Sequence, residues 1–382
     1  MKRRDFLAAA VAALMAPRFA LAQTSGYGRL LILVELKGGN DGLNTVVPYA
    51  DAAYYFLRPR LAIARDQVLQ IDERTGLHPA LKPLLPLWEA RELAIVQGVG
   101  YANPNLSHFR SIEIWDTASA SEQYLAEGWL ARCFAAAPPP AAFAADGVVV
   151  GSNDMGPLAG TEARVLALND PGQFQRQARL ANPSGGAPRN AALAHILKIE
   201  SDVAAAAGRL AAGMEFRTEF PKGQFGNAVH AAAQLAANPA GVAAIRLSLG
   251  GFDTHQNQAG TQARLLGEFA EGMGALKSAL VEAGRWESTL IITYAEFGRR
   301  PKENDTSGTD HGTAAAHFVA GGKVRGGLYG DAPRLDALEG GNLRFAVDFR
   351  NIYATAIDGW WGLDSSRVLN GRFKPLGLLK QV

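Results

Sequence analysis

The sequence predicts an α/β fold in which a mainly parallel sheet is wrapped by helices on both faces. Two observations carry that prediction. Continuous apolar runs bounded by glycine and polar clusters recur along the chain, as buried parallel strands require: RLLILVEL (29–36), ELAIVQGVG (92–100), GVVVG (147–151), GVAAIRLSLGG (241–251), STLIITYAEFG (288–298) and HFVAGG (317–322). Helical stretches alternate with them, and alternating strand and helix builds a sheet covered on both sides.

The chain opens with MKRRDFLAAAVAALMAPRFALAQ, in which Arg3 and Arg4 precede a short apolar stretch and the small-residue sequence Ala20-Leu21-Ala22. That layout predicts a twin-arginine signal peptide over residues 1–22, and hence a periplasmic or secreted protein. Its apolar stretch falls short of the roughly 20 residues that cross a bilayer, and nothing later in the sequence reads as a span. Removing residues 1–22 takes away Lys2, Arg3, Arg4, Arg18 and Asp5, a net three positive charges, so the formal +2 becomes −1. A near-neutral chain with no basic stripe argues against nucleic acid as a partner.

Residues 23–382 read as one α/β domain. Helices are predicted at HPALKPLLPLWEAR, at HFRSIEIWDTA, at NQAGTQARLLGEFAEGMGALKSALVEAG and at DFRNIYATAIDGWWG. From 170 to 240 the chain turns Ala-rich and is punctuated by Pro and Gly, which predicts a helical insertion packed beside the sheet. The lone cysteine, Cys133 in WLARCFAAAPPP, has no internal disulfide partner and reads as a small buried hydrophobe. The fold of an exported chain so built rests on its apolar core, for which 48% apolar residues suffice.

In open α/β sheets ligands bind beyond the carboxyl ends of the strands, and there the unusual polar residues collect. The first strand runs into GGNDGLN with Asp41, the second leads to NPNLSHFR with Ser107 and His108, the strand at 241 ends in Asp253 and His255, and the strand at 288 ends in Glu296 and Arg299. Asp310 and His311 in GTDHG come just before the strand at 317. In extended chain, residues two apart share a side, so Asp253 and His255 can converge on one spot. Each residue also has a plainer reading. Asp41 suits a turn, Ser107 suits a helix N-cap, Glu296 suits a salt bridge to Arg299, and Asp310-His311 suits a loop. As a set, the carboxylates and imidazoles fit Zn, Mn or Fe better than an all-oxygen cage for Ca²⁺ or Mg²⁺. Asp41, Asp253, His255, Glu296, Asp310 and His311 provide material for one or two divalent ions.

The stretches ELKGGNDGLNTVVPY, NLSHFRSIEIWDTA, GGFDTHQNQ, ITYAEFGR and GTDHGTAAAHFVAGG, in that order after a twin-arginine signal, resemble the bacterial exported family called domain of unknown function 1501. That family is similar to the alkaline phosphatase and sulfatase superfamily, so the resemblance implies an alkaline phosphatase-like α/β sheet. It also implies metal ions at the strand ends and a hydroxyl or formylglycine nucleophile. It places Asp41 at the acid after the first strand, Ser107 at the nucleophile, Asp253 and His255 at an acid and imidazole sharing a metal, Glu296 at a strand-end acid and His311 at the last histidine ligand. One residue separates Asp253 from His255 where phosphatases commonly have three. Phe297 stands where the pattern has a metal-binding His, which leaves a poorer site unless His108 or Asp310 contributes.

The expectation is an exported metal-dependent hydrolase of phosphate or sulfate esters acting on a small anionic substrate, with Ser107, His108 and Arg299 catalytic and Arg110 a second candidate for meeting an oxyanion. The rival is a non-catalytic periplasmic scaffold or binding protein with an envelope protein partner, which the Phe297 departure favours. A serine hydrolase of the G-x-S-x-G type and a G-x-G-x-x-G dinucleotide enzyme are excluded, because neither motif is present.

Overall fold

The computed structural model describes residues 26–180, 191–210 and 214–381. The expected signal segment 1–22 lies outside the described residues, as do 181–190 and 211–213 within the expected insertion.

The six apolar runs, joined by three short strands that the sequence did not mark, form one nine-stranded sheet. They are β1 (Leu30–Lys37), β2 (Leu93–Gly100), β3 (Ala145–Val150), β4 (Val165–Leu168), β5 (Val242–Gly250), β6 (Thr289–Tyr294), β7 (Ala315–Ala320), β8 (Gly327–Tyr329) and β9 (Val347–Asp348). The spatial order is β8-β2-β7-β6-β1-β5-β3-β4, with β9 also paired to β2. β1 lies between β5 and β6, parallel to both, and β3 is parallel to β5 and β4. β7 alone runs against its two neighbours, β2 and β6.

Alternation along β1 divides the core. Leu30, Ile32, Val34 and Leu36 enter one apolar layer and Leu31 and Leu33 the other, all at most 1% exposed. Burying one such side chain contributes about 1.5–3 kcal/mol. The first layer is covered by the long helix Gln258–Glu282, by Gln224–Ala237 and by the helical turns Pro79–Leu84. Ala228, Ala231 and Ala232 of Gln224–Ala237 lie within this core, so that part of the Ala-rich stretch is a sheet-covering helix whose small side chains permit close approach. The helices Pro171–Leu180 and Ala191–Arg209 precede it. The second layer is covered by His108–Thr117, Trp129–Ala136 and Phe349–Ala354. Among the described residues no helix is long and apolar enough to cross a membrane.

This topology gathers the polar stretches. β1, β2, β5 and β6 point the same way, so their carboxyl ends share one edge. Because β7 is reversed, its amino end reaches that edge too. Asp310 and His311 precede their strand where the others follow theirs, and the antiparallel strand reconciles the two.

Candidate metal centre

Asp253 stands just past β5 and is the hub of the site. Its Oδ1 lies 3.0 Å from His255 Nε2, 3.2 Å from His311 Nε2 and 2.6 Å from Arg299 Nη2, and its Oδ2 lies 3.4 Å from His108 Nε2. His255 Nε2 and His311 Nε2 are 3.0 Å apart. His108, Asp253 and His311 each offer a ligand atom, and these atoms lie within 4.8 Å of one another.

The hydrogen bonds on the far side of each ring decide what the rings present. His311 Nδ1 lies 2.7 Å from the Leu106 carbonyl, which only accepts, so that nitrogen carries the proton and a neutral His311 turns a bare Nε2 lone pair inward. Burial, the larger effect, lowers the His311 pKa and keeps the ring neutral against the pull of its hydrogen bonds. His108 Nδ1 lies 2.8 Å from Glu296 Oε1, and a carboxylate likewise only accepts, so in a neutral His108 that nitrogen carries the proton and Nε2 turns its lone pair toward Asp253. At Asp253 burial opposes ionisation, but the hydrogen bond and charge of the Arg299 guanidinium prevail and hold its pKa at about 2. Lone pairs of two imidazoles and an ionised carboxylate thus converge with His255 alongside. The nitrogens and oxygens of this donor set suit Zn, Mn or Fe.

The remaining candidates stand behind this group. Glu296, 2% exposed, accepts from the Gly38 amide at 2.9 and 3.1 Å and from the Gly39 amide at 3.2 Å besides meeting His108. Its oxygens are therefore engaged, and it orients an imidazole as carboxylates do around metal-bound histidines. Gly38 and Gly39 have φ of +114° and +76°. A Cβ on Gly38 would lie 2.4 Å from the Asp253 amide nitrogen and one on Gly39 2.5 Å from the Phe297 ring. Asp310 Oδ1 lies 3.5 Å from His255 Nδ1 and accepts from Asn304 at 3.3 Å, so it backs His255.

Asp41 stands further back. It caps Gly42–Thr45 through the Leu43 amide, its Oδ2 lies 2.5 Å from Arg58 Nη1 and its Oδ1 3.0 Å from Arg58 Nη2, and it accepts from Gln258 at 2.5 Å. With a buried guanidinium on its carboxylate, Asp41 is not among the converging donors. Gln258 relays the contact forward, because its Oε1 accepts from Thr254 at 3.0 Å and Thr309 at 2.6 Å, the neighbours of His255 and Asp310.

Arg299 is 1% exposed. It donates to the carbonyls of Gly38, Gly39, Phe252 and Thr309 as well as to Asp253. Every guanidinium nitrogen is thus engaged within the fold, and Arg299 fixes Asp253 instead of facing a substrate. Arg110 is also committed, to the carbonyls of Ala120, Ser121 and Gln123 and to Glu113 at 2.8 Å, with Tyr124 stacked on it at 3.8 Å. Ser107 is exposed at the N-cap of His108–Thr117, and its hydroxyl makes no capping bond. Phe297 packs its ring 4.3 Å from that of His311 and 4.8 Å from that of His108, as a wall beside the imidazoles.

Sequence reasoning passed over Arg58, Gln258 and Gln262. The two glutamines begin the buried stripe of the long helix that continues through Leu265, Leu266 and Phe269, and both are at most 1% exposed. A polar pair four residues apart at the head of an apolar stripe is the signal that marks them. Arg58, inside FLRPR, carries no periodic signal.

Solved structures similar to this chain include Ps i-CgsB, at 13% identity and a TM-score of 0.41, covering 91% of this chain and 75% of that one. The zinc complex of the C-terminal periplasmic domain of EcEptC from Escherichia coli is 9% identical at a TM-score of 0.38, with 77% and 73% covered. Alkaline phosphatase from the Antarctic bacterium TAB5 is 12% identical at a TM-score of 0.36, with 80% and 95% covered. No curated protein sequence matches the chain. Residues 94–373 match the family described as protein of unknown function (DUF1501), and the chain belongs to that family.

Proposed function

We propose that the protein is an exported, metal-dependent hydrolase of phosphate or sulfate esters. The observation that carries this reading is the convergence of His108 Nε2, Asp253 and His311 Nε2, each held by a partner that leaves its lone pair free. These three residues would hold the ion, and His255, within 3.0 Å of Asp253 and His311, would complete its shell or begin a second. Once bound, the ion would supply Lewis acidity toward an ester oxygen.

The chain's own residues do the rest. Ser107 Oγ attacks phosphorus or sulfur, the bond to the ester oxygen breaks, and the departing alcohol leaves with a proton. Water then attacks the phospho- or sulfo-serine, the bond to Oγ breaks, Oγ regains a proton, and inorganic phosphate or sulfate leaves. The first-turn amides of the ten-residue helix His108–Thr117, which have no partners within the helix, meet the anionic group. Glu296, Arg299 and Asp310 act through others, by fixing His108, Asp253 and His255. Export draws on the twin-arginine layout at Arg3 and Arg4.

A second reading, a non-catalytic envelope binding protein, draws support from Phe297 at a position where an imidazole would add a ligand. Turnover of aryl phosphates and aryl sulfates by protein loaded in turn with Zn²⁺, Mn²⁺ and Fe²⁺ separates the two. The hydrolase reading expects turnover with one ester class, lost by at least a hundredfold in Ser107→Ala. Absence of turnover across the panel favours the binding protein, and full activity in Ser107→Ala removes the serine from its role.

A further inference from the structure

The same sheet edge carries a polar hollow. A cavity of about 410 Å³ lies over the ends of β1, β3 and β5 and is lined by Lys37, Ser152, Gln224, Ser248, Arg264 and Glu268, with Gly250 beneath. It is continuous with the candidate centre along the chain. Lys37 and Gly250 are register partners, Gly38 binds Glu296, and the Lys37 carbonyl accepts from the Phe252 amide at 3.1 Å. Asp253 follows Gly250 by three residues, so their Cα atoms are at most ~11 Å apart.

The lining is held from below by an ion pair. Glu35 and Arg246, at most 1% exposed, meet at 2.7 Å. Arg246 also reaches Asp154 Oδ2 at 3.4 Å, and Asp154 Oδ2 lies 3.7 Å from Lys37 Nζ. Ser248 donates to Glu35 Oε2 at 2.8 Å, so its oxygen keeps its lone pairs for a ligand. Burying an ion pair is costly, and here the pair positions polar groups at a cavity wall, as a pre-organised binding site requires.

Charge balance selects the ligand. Lys37 is matched by Asp154, and Arg264 by Glu268 at 3.3 Å, so no excess positive charge awaits a second anion. Donors and acceptors are interleaved, which matches hydroxyl groups, each both donor and acceptor. We propose that this cavity is the subsite for a polyhydroxylated part of the substrate, a sugar ring whose ester is presented to the imidazoles. The proposal rests on the hydrolase reading for its ester, though not for its sugar.

Gly250→Leu tests it, because a Cβ at that position meets nothing within 4 Å and the longer side chain fills the hollow. Hexose 6-phosphate and 6-sulfate are compared with phenyl phosphate and sulfate. The ratio of kcat/KM for the sugar ester to that for the phenyl ester is expected to fall at least tenfold, mostly through KM. An unchanged ratio overturns the subsite. Glu268→Ala, which removes a half-buried carboxylate of the lining, is expected to lower the same ratio and serves if Gly250→Leu fails to fold. If no ester is turned over, calorimetric titration with free hexoses and hexuronic acids decides. Binding that is lost in Gly250→Leu and kept in Ser107→Ala supports the subsite while the hydrolase reading fails. No binding of any sugar, or a cavity that takes inorganic phosphate instead, overturns it.

Discussion

Replacing Arg58 with Met tests the assignment of Asp41 to the fold instead of to a metal. Arg58 and Asp41 have side chains 0% and 1% exposed and meet through two nitrogen–oxygen contacts. Arg58 also donates to Asn44 at 2.7 Å and to the carbonyls of Arg300 and Pro301 at 3.1 and 2.8 Å, tying the turn after β1 to the loop after β6. Removing one partner of a buried pair leaves an uncompensated charge and costs about 3–5 kcal/mol. At about 1.3 °C per kcal/mol for a domain of this size, the melting temperature falls by about 4–7 °C. Asp41→Asn is expected to cost less, since an amide can still accept from Arg58. The double variant is expected to cost less than the sum of the singles. Differential scanning calorimetry reads stability, and elemental analysis on the same samples reads metal content, which is expected to stay at the wild-type level in Asp41→Asn. A melting temperature unchanged in Arg58→Met, or metal lost from a well-folded Asp41→Asn, refutes the reasoning and returns Asp41 to the ligands.

Two further outcomes concern the core. His317 is 1% exposed beneath Trp115, and burial lowers its pKa from 6.5 to about 3. The folded protein keeps it neutral while the unfolded chain takes up a proton below about pH 6.5, so its contribution is complete above that pH. It is lost on acidification at about 1.4 kcal/mol per pH unit until about pH 3, and His317→Phe is expected to show a shallower fall in stability between pH 6 and 4 by urea unfolding. Cys133 is 1% exposed and burial raises its thiol to about 12, so iodoacetamide is expected to label it only after unfolding, and rapid labelling of native protein contradicts that placement.

Six of the nine strands were legible because each is an apolar run that can be satisfied only by burial on both faces, whereas β4, β8 and β9 are short and partly exposed and carry no such run. The long helix was legible through its stripe. The strand-end polar residues stood out because an acid or imidazole closing such a run needs a partner. Their division of labour was not legible. Glu296, Asp253 and Asp41 are all strand-end acids in sequence, and their surroundings separate them. Two glycine amides occupy Glu296, a guanidinium seventeen residues away in sequence occupies Asp41, and Asp253 is left among imidazoles. In sequence Arg299 reads as free to meet an anion, whereas in the fold four carbonyls hold it. Periodicity reports which face a residue occupies, whereas these assignments depend on which lone pairs and protons are already used.

The most direct test of the metal centre is calorimetric titration of chelator-stripped protein with Zn²⁺ and with Mn²⁺, for the wild type, Asp253→Ala, His311→Ala and Glu296→Gln. Saturable binding of one or two ions per chain is expected in the wild type, abolished by the first two substitutions and weakened about 10–100-fold by the third, which frees His108 without removing a ligand. Binding absent from the wild type, or unaltered by losing Asp253 and His311, would contradict the account.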